Sequence, residues 1–423
     1  MNFHIVNVRS AAGEIQDLWI ESERFVSSPT HGLNHTKIDA TGLTALPGFV
    51  DLHTHLREPG REDAETVLTG SQAAVAGGYT AISAMPNTFP VADTAGVVEQ
   101  VFRLGKHHDL CDVYPIGSVT LGQNGKHLAE LSAMNQSEAR VRIFSDDGHC
   151  VADPLVMRRA LEYVKTFDGI IAQHAQDPRL TENAQMNEGE VSARLGLKGW
   201  PAVAEEAIIA RDVLLAEHVD SRLHICHLTT AGGVEIVRNA KKRGIKVTAE
   251  VTPHHLLLTD DVVESYDPVY KVNPPLRTSR DVHALREGLA DGTIDVIATD
   301  HAPHPQEAKD CEWSAAAFGM LGLETAFSIG FLTMVKSGLI TVETLVERMS
   351  SSPARIAHYS DHGQIASGMK ANLTLVDLDA EWKVERALLH SKSRNTPFHD
   401  MVFPGLVMKT FHNGALVFER KVR

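Results

Sequence analysis

Pro47-Gly48-Phe49-Val50-Asp51-Leu52-His53-Thr54-His55 reads as a buried strand that runs out into two metal-capable side chains. Its apolar run is almost unbroken, as in a parallel strand covered on both faces. A strand's period of two sets His53 and His55 on the same side, where both imidazoles can reach one ion. Working outward from this first strand (46–52), the same kind of run recurs at 80–84, 112–118, 141–145, 169–173, 222–226, 246–251 and 294–299. Helical patterns lie between these runs. One opens at Asp153-Pro154, an N-cap followed by Pro at N1, and continues through Leu155, Met157, Leu161 and Val164. Others cover 204–217, 233–242 and 280–290. Eight such strands alternating with helices predict an α/β protein, a (β/α)8 TIM-like barrel spanning 45–362. Residues 1–44 and 363–423 carry short alternating stretches instead, and predict one small β-sandwich domain formed by both termini.

Composition narrows the partners. The 423 residues carry a formal net charge of −14, with no basic run beyond Lys241-Lys242-Arg243, which argues against nucleic acid or an anionic membrane. A small anionic substrate remains compatible, because one well-placed Arg binds a carboxylate against a negative overall field. The opening residues Met1 to Asn7 have neither a basic nor a long apolar region, and no run approaches the ~20 apolar residues of a membrane helix. The four cysteines, Cys111, Cys150, Cys226 and Cys311, are scattered and read as reduced thiols. A cytoplasmic enzyme is the expectation.

Polar, metal-capable residues fall at the C-terminal ends of the strands, where barrel enzymes place their active sites. Strand four ends in Ser145-Asp146-Asp147-Gly148, strand five at His174, strand six at His227, and strand eight in Thr299-Asp300-His301-Ala302-Pro303-His304. Taken singly, each has an ordinary explanation: a hydrogen-bonded core histidine, a helix cap, a turn. One shared metal site explains all five strand ends together. So many N and O donors exceed one tetrahedral zinc and suit two adjacent ions. His53, His55 and Asp300 are assigned to the first ion and His174 and His227 to the second. A bridging anion is then needed; no Lys lies in 141–148, so an aspartate must serve, Asp147 in preference to Asp146. Two zinc ions lower the pKa of a bridging water, and Asp300 beside it takes the proton and hands it to the leaving nitrogen.

These motifs resemble a known family. The segment from Pro47 to Gly60, ending His53-Thr54-His55-Leu56-Arg57-Glu58-Pro59-Gly60, is similar to the strand-one signature of dihydroorotases in the amidohydrolase superfamily. Ala298 to His304 resembles their strand-eight signature, and Phe144 to Gly148 the aspartate-bridged branch. The likeness runs through Ser393-Arg394-Asn395-Thr396-Pro397-Phe398 and so covers essentially the whole chain. It implies reversible cyclisation of N-carbamoyl-L-aspartate to L-dihydroorotate, in de novo pyrimidine (UMP) biosynthesis, with a hydroxide bridging two zinc ions. It also implies substrate contacts at His55, Arg57, Asn87, Asn273, His304, Phe318 and Gly319, a homodimer, and a complex with aspartate transcarbamoylase. Arg57 would grip the substrate carboxylate with its planar fork.

Other readings weigh less. An allantoinase or hydantoinase would usually carry the bridging lysine and lack the Arg57 arrangement. A non-catalytic subunit supporting aspartate transcarbamoylase should have lost ligands, and a single-metal deacetylase or deaminase leaves Asp147 and Arg57 without work. His254-His255, after strand seven, are read as structural, and 176–201 as a lid or an oligomer contact.

Overall fold

The computed structural model describes residues 1–421. Eight parallel barrel strands follow one another in chain order: Phe49–Thr54, Tyr79–Ala84, Asp112–Pro115, Ile143–Phe144, Ile170–Gln173, Arg222–Ile225, Val247–Val251 and Val296–Ile297. They form ladders of three and five strands. Parallel bridges Gly117 to Phe144 and Thr54 to His301 join the two and close the ring. His55 N donates to His301 O and Ser145 N to Gly117 O, both at 2.9 Å, so the seams lie beside the residues that matter for chemistry.

Alternation along the strands explains the layers. Val50, Leu52, Ala81, Ile143, Ile170, Ala172, Val296 and Ala298 form one buried cluster. Their neighbours Phe49, Ile82, Phe144, Ile171, Leu223 and Ile297 pack instead with the helices. Each strand is therefore apolar on both faces, which is why the runs look continuous in sequence. The expected helices form at Pro154–Val164, Val203–Val219, Ala231–Lys242 and Ser279–Ala290. Asp153 caps the first by accepting from Leu155 N and Val156 N at 2.7 and 3.1 Å.

The first and eighth strands differ most from expectation, and the third and fourth are also shorter than 112–118 and 141–145. The run 46–52 is not one strand. Thr44–Pro47 pairs antiparallel with Leu373–Lys383, and the barrel strand starts afresh at Phe49. Gly48 is the pivot, because a Cβ there would sit 2.3 Å from the Thr80 side chain. The eighth strand is shorter than 294–299, since beyond Ala298 the Thr299 amide bonds to the Asp51 side chain at 3.1 Å rather than to a backbone carbonyl of a neighbouring strand.

The chain ends share one eight-stranded sheet, to which the first 47 residues contribute five strands and Leu373–Lys383, Val402–His412 and Ala415–Glu419 the rest. It encloses its own core of Phe3, Ile5, Val8, Ile20, Phe25, Leu373, Leu375 and Phe411. The segment 176–201 is ordered, with a two-residue parallel pair, Met186–Asn187 with Gly199–Trp200, and the helix Glu190–Leu195. Buried Arg277 ties it down, donating to Asn187 Oδ1 and Trp200 O at 2.9 Å. No helix among the described residues is long and apolar enough to cross a membrane.

Candidate active site

The barrel brings the expected strand ends to one point. Three residues there, Arg57, His227 and Asp300, take left-handed backbone with φ of 64°, 29° and 44°. Such conformations cost about 1–3 kcal/mol each and persist where surrounding contacts impose them. Around Asp300 the contacts are visible: Thr299 Oγ1 donates to Asp51 Oδ2 at 2.6 Å, and His301 N donates to Thr299 Oγ1 at 3.1 Å.

Asp147 stands between two groups of imidazoles. Its Oδ2 lies 3.4 Å from both His53 Nε2 and His55 Nε2, and its Oδ1 3.2 Å from His174 Nδ1 and His227 Nε2. Asp300 Oδ1 approaches the first group, 3.0 Å from His55 Nε2 and 3.5 Å from His53 Nε2. Asp146 faces elsewhere, accepting from Ser118 Oγ, Val119 N and Thr120 N at 2.7, 2.8 and 3.0 Å, and so holds the turn beside the site.

The outer ring nitrogens are already engaged. His53 Nδ1 donates to Glu250 Oε1 at 2.6 Å, His55 Nδ1 to Asn87 Oδ1 at 2.9 Å, and His174 Nε2 to Gln176 Oε1 at 2.8 Å. Each bond fixes a tautomer and turns the other nitrogen's lone pair inward. His53 Nε2 is buried without any hydrogen bond, and His174 Nδ1 and His227 Nε2 lie 2.8 Å apart. Imidazole lone pairs and two carboxylates thus converge with little to donate to them. The residues fit metal cations: His53, His55 and Asp147 form one donor group and Asp147, His174 and His227 a second, with Asp147 common to both. A third group, His53, Cys226 and Glu250, lies on the far side of His53. There Glu250 is already supplied by His224 Nε2 at 2.9 Å, and burial pushes the Cys226 thiol up, so it serves as support.

The electrostatics agree with a demand for positive charge. Burial opposes ionisation of Asp147, and it is positive charge at the centre, on His53 foremost, that holds its carboxyl well below the usual carboxylate range. Asp300 is likewise opposed by burial and brought down to about 2 by His53 and His55.

Beside these donors lies a cavity of about 230 Å³ lined by His55, Arg57, Asn87, Asn273, His304, Phe318 and Gly319, together with Asp147, His174, Asp300 and Arg61. All seven residues expected to contact substrate therefore face one chamber. Arg57 is 5% exposed and its Nε donates to Pro303 O at 3.1 Å, which aims the guanidinium along the wall. Burial lowers it to about 10, so it is cationic at neutral pH. His304 donates from Nε2 to Phe318 O at 2.8 Å. Burial, then Arg57, lower it to about 2, leaving it neutral. Gly319 has φ of 143°, and a Cβ there would lie 2.9 Å from His304 Nε2, so only glycine lets these two strands of the wall meet. A larger chamber of about 530 Å³ adjoins it across His304 but holds none of the clustered donors.

Sequence reasoning missed Glu250, Gln176 and Arg61. Arg61 carried a signal, four residues beyond Arg57 in the same loop; a lone Glu in a strand and a Gln after His174 carried none. The two histidines after strand seven part ways. His255 bonds Thr252 Oγ1 at 2.7 Å and Pro274 O at 3.2 Å, whereas His254 Nε2 is buried without a partner, and burial lowers that imidazole to about 4.

A closed α/β barrel whose strand ends carry this donor set beside a small polar chamber defines a metal-dependent amidohydrolase. The family model described as Dihydro-orotase-like matches residues 42–232. The dihydroorotase of Streptomyces coelicolor is 64% identical over 405 residues, 95% of each chain. That of Mycobacterium tuberculosis is 56% identical over 380 residues, 90% of this chain and 88% of its own. Among solved structures, L-hydantoinase from Arthrobacter aurescens matches with a TM-score of 0.87 at 26% identity, covering 99% of this chain and 96% of that one. Dihydropyrimidinase from Brevibacillus agri NCHU1002 matches at 0.83 and 22% identity, over 99% and 95%, a likeness of fold alone. The chain belongs to the dihydroorotase family, hydrolases of cyclic amides.

Proposed function

We propose that this chain interconverts N-carbamoyl-L-aspartate and L-dihydroorotate, the step that closes the pyrimidine ring in de novo synthesis, using two zinc ions. The observation that carries this reading is the Asp147 carboxylate, with one oxygen toward His53 and His55 and the other toward His174 and His227, next to a chamber walled by Arg57. His53, His55 and Asp300 would hold one ion, His174 and His227 the other, with Asp147 shared. When bound, the ions supply Lewis acidity to the amide carbonyl and to an attacking water.

The protein's own groups do the rest. Arg57 binds the substrate carboxylate, and neutral His304 beside it adds contact without competing charge. Asn273 Oδ1, buried without a partner, is free to accept an N–H of the ring. Asn87 and Gln176 keep His55 and His174 turned to the centre. In ring opening Asp300 accepts the water proton and delivers it to the ring nitrogen as the C–N bond breaks. In ring closure Asp300 starts protonated and the same transfer runs backward. A homodimer and an aspartate transcarbamoylase complex belong to the same reading.

Ring opening of L-dihydroorotate by purified protein, before and after chelation and with metal counted by elemental analysis, tests it. Activity should track about two zinc ions per chain. Two bound ions without turnover of L-dihydroorotate would overturn the substrate, and turnover that survives complete metal removal would overturn the mechanism.

A further inference from the structure

The segment running from Ala302 to Met320 brings His304, Phe318 and Gly319 to the chamber, and two buried ammonium groups anchor it. Lys309 Nζ donates to the carbonyl oxygens of Pro268, Lys271 and Ala317 at 2.9, 2.9 and 2.8 Å. An ammonium has three donors, and all three are used. Lys271 Nζ donates to Trp313 O and Ser314 O at 2.7 and 3.2 Å and lies 4.5 Å from the centroid of the Phe318 ring. The carbonyl of Lys271 is itself a node, receiving Lys309 Nζ and the Gly319 amide, both at 2.9 Å. One short stretch, Lys271 to Asn273, therefore carries both an expected substrate contact and the anchor for two others.

These charges are held against their own preference. The side chains are 2% and 8% exposed, and burial pushes Lys271 down to about 8 and Lys309 to about 7. A buried charge that served stability alone could be replaced by an apolar chain of similar size at little loss. Here each sits where it sets the place of a chamber wall.

We propose that Lys271 and Lys309 are positioning residues for substrate: hydrogen bonds to five backbone oxygens and the Lys271–Phe318 stack hold Phe318 and Gly319 against the substrate ring. This rests on the dihydroorotase reading. Lys309→Met and Lys271→Met should each raise KM for L-dihydroorotate by about tenfold or more. The kcat should stay within about threefold and the metal content should match the parent. An unchanged KM, or kcat falling in step with lost metal, overturns the proposal. Hydrogen exchange on the parent protein supplies the second test, independent of variants and of turnover. Slow exchange of the Ala317 and Gly319 amides supports the anchoring, and exchange as fast as an exposed loop overturns it. Failure of the parent to open L-dihydroorotate would count against the proposed substrate alone, leaving the exchange result to decide the anchoring.

Discussion

Arg57 shows what one side chain is asked to do. Its guanidinium is buried, positively charged, and steered by Pro303 O, so its planar fork meets a carboxylate in one orientation. Lysine has the charge without the fork. Arg57→Lys should raise KM about 10- to 100-fold, the equivalent of a lost charge-assisted hydrogen bond of ~1.5–3 kcal/mol, with metal content unchanged. Steady-state kinetics and metal analysis check this; an unaltered KM and kcat/KM would remove Arg57 from the carboxylate site. Asp300 differs in kind, because it pairs with His55 and also faces the chamber. Asp300→Asn should keep part of the metal and lose about 10²–10⁴-fold in kcat, since an amide takes up no proton. Substantial turnover at neutral pH would end its role as proton carrier. Both residues were singled out in sequence, Arg57 by resemblance, two positions past a His-x-His, and Asp300 as the residue that follows a strand.

At the scale of elements, the seventh strand is the least expected contributor. Glu250, within Val247–Val251, accepts from His53 Nδ1 at 2.6 Å, His227 N at 3.2 Å and His224 Nε2 at 2.9 Å, and so ties the first strand to the sixth. Glu250→Gln would turn an amide N–H toward one of these donors. Metal affinity should fall about 10- to 100-fold, as when other supports of ligand histidines are removed. Competition with a chelator measures it, and parent-like affinity would show that Glu250 only fills space. No pattern in 246–251 announces this, because a support is recognised by the distant ring nitrogen it meets. The same holds for Gly48, which is an ordinary turn residue until Thr80 is seen against it.

Across the whole molecule, the barrel and the terminal sheet are joined by buried charge. Asp112, at the start of the third barrel strand, lies 3.0 Å from His362 Nε2, 3.3 Å from His412 Nε2 and 2.6 Å from Lys106 Nζ, and His412 comes from the terminal sheet. Burial opposes its ionisation, and His362 and His412 override that and hold the carboxyl far below its ordinary value of 3.8. A carboxyl depressed in the folded state stabilises the fold above its unfolded pKa, and that contribution drains away as the pH falls. Asp112→Asn should therefore cost about 3–5 kcal/mol at neutral pH, as when one partner of a buried pair is removed, and less in strong acid. Denaturant unfolding across pH checks both; a parent-like midpoint at pH 7 would show that this junction adds nothing.

By itself the sequence determined the eight-strand alternation and the strand ends that carry donors, because each follows from local periodicity and from residue types at fixed spacing, and its motifs pointed to the family by resemblance. Tertiary structure alone decided how Asp147 stands between the imidazoles, which carboxylate and amides turn them inward, and that Arg61 joins the expected residues in the chamber wall. Those depend on closing the barrel, which sets side chains hundreds of residues apart within 3 Å, as in His55 to Asp300 at 3.0 Å. Distances of that kind have no period along the chain.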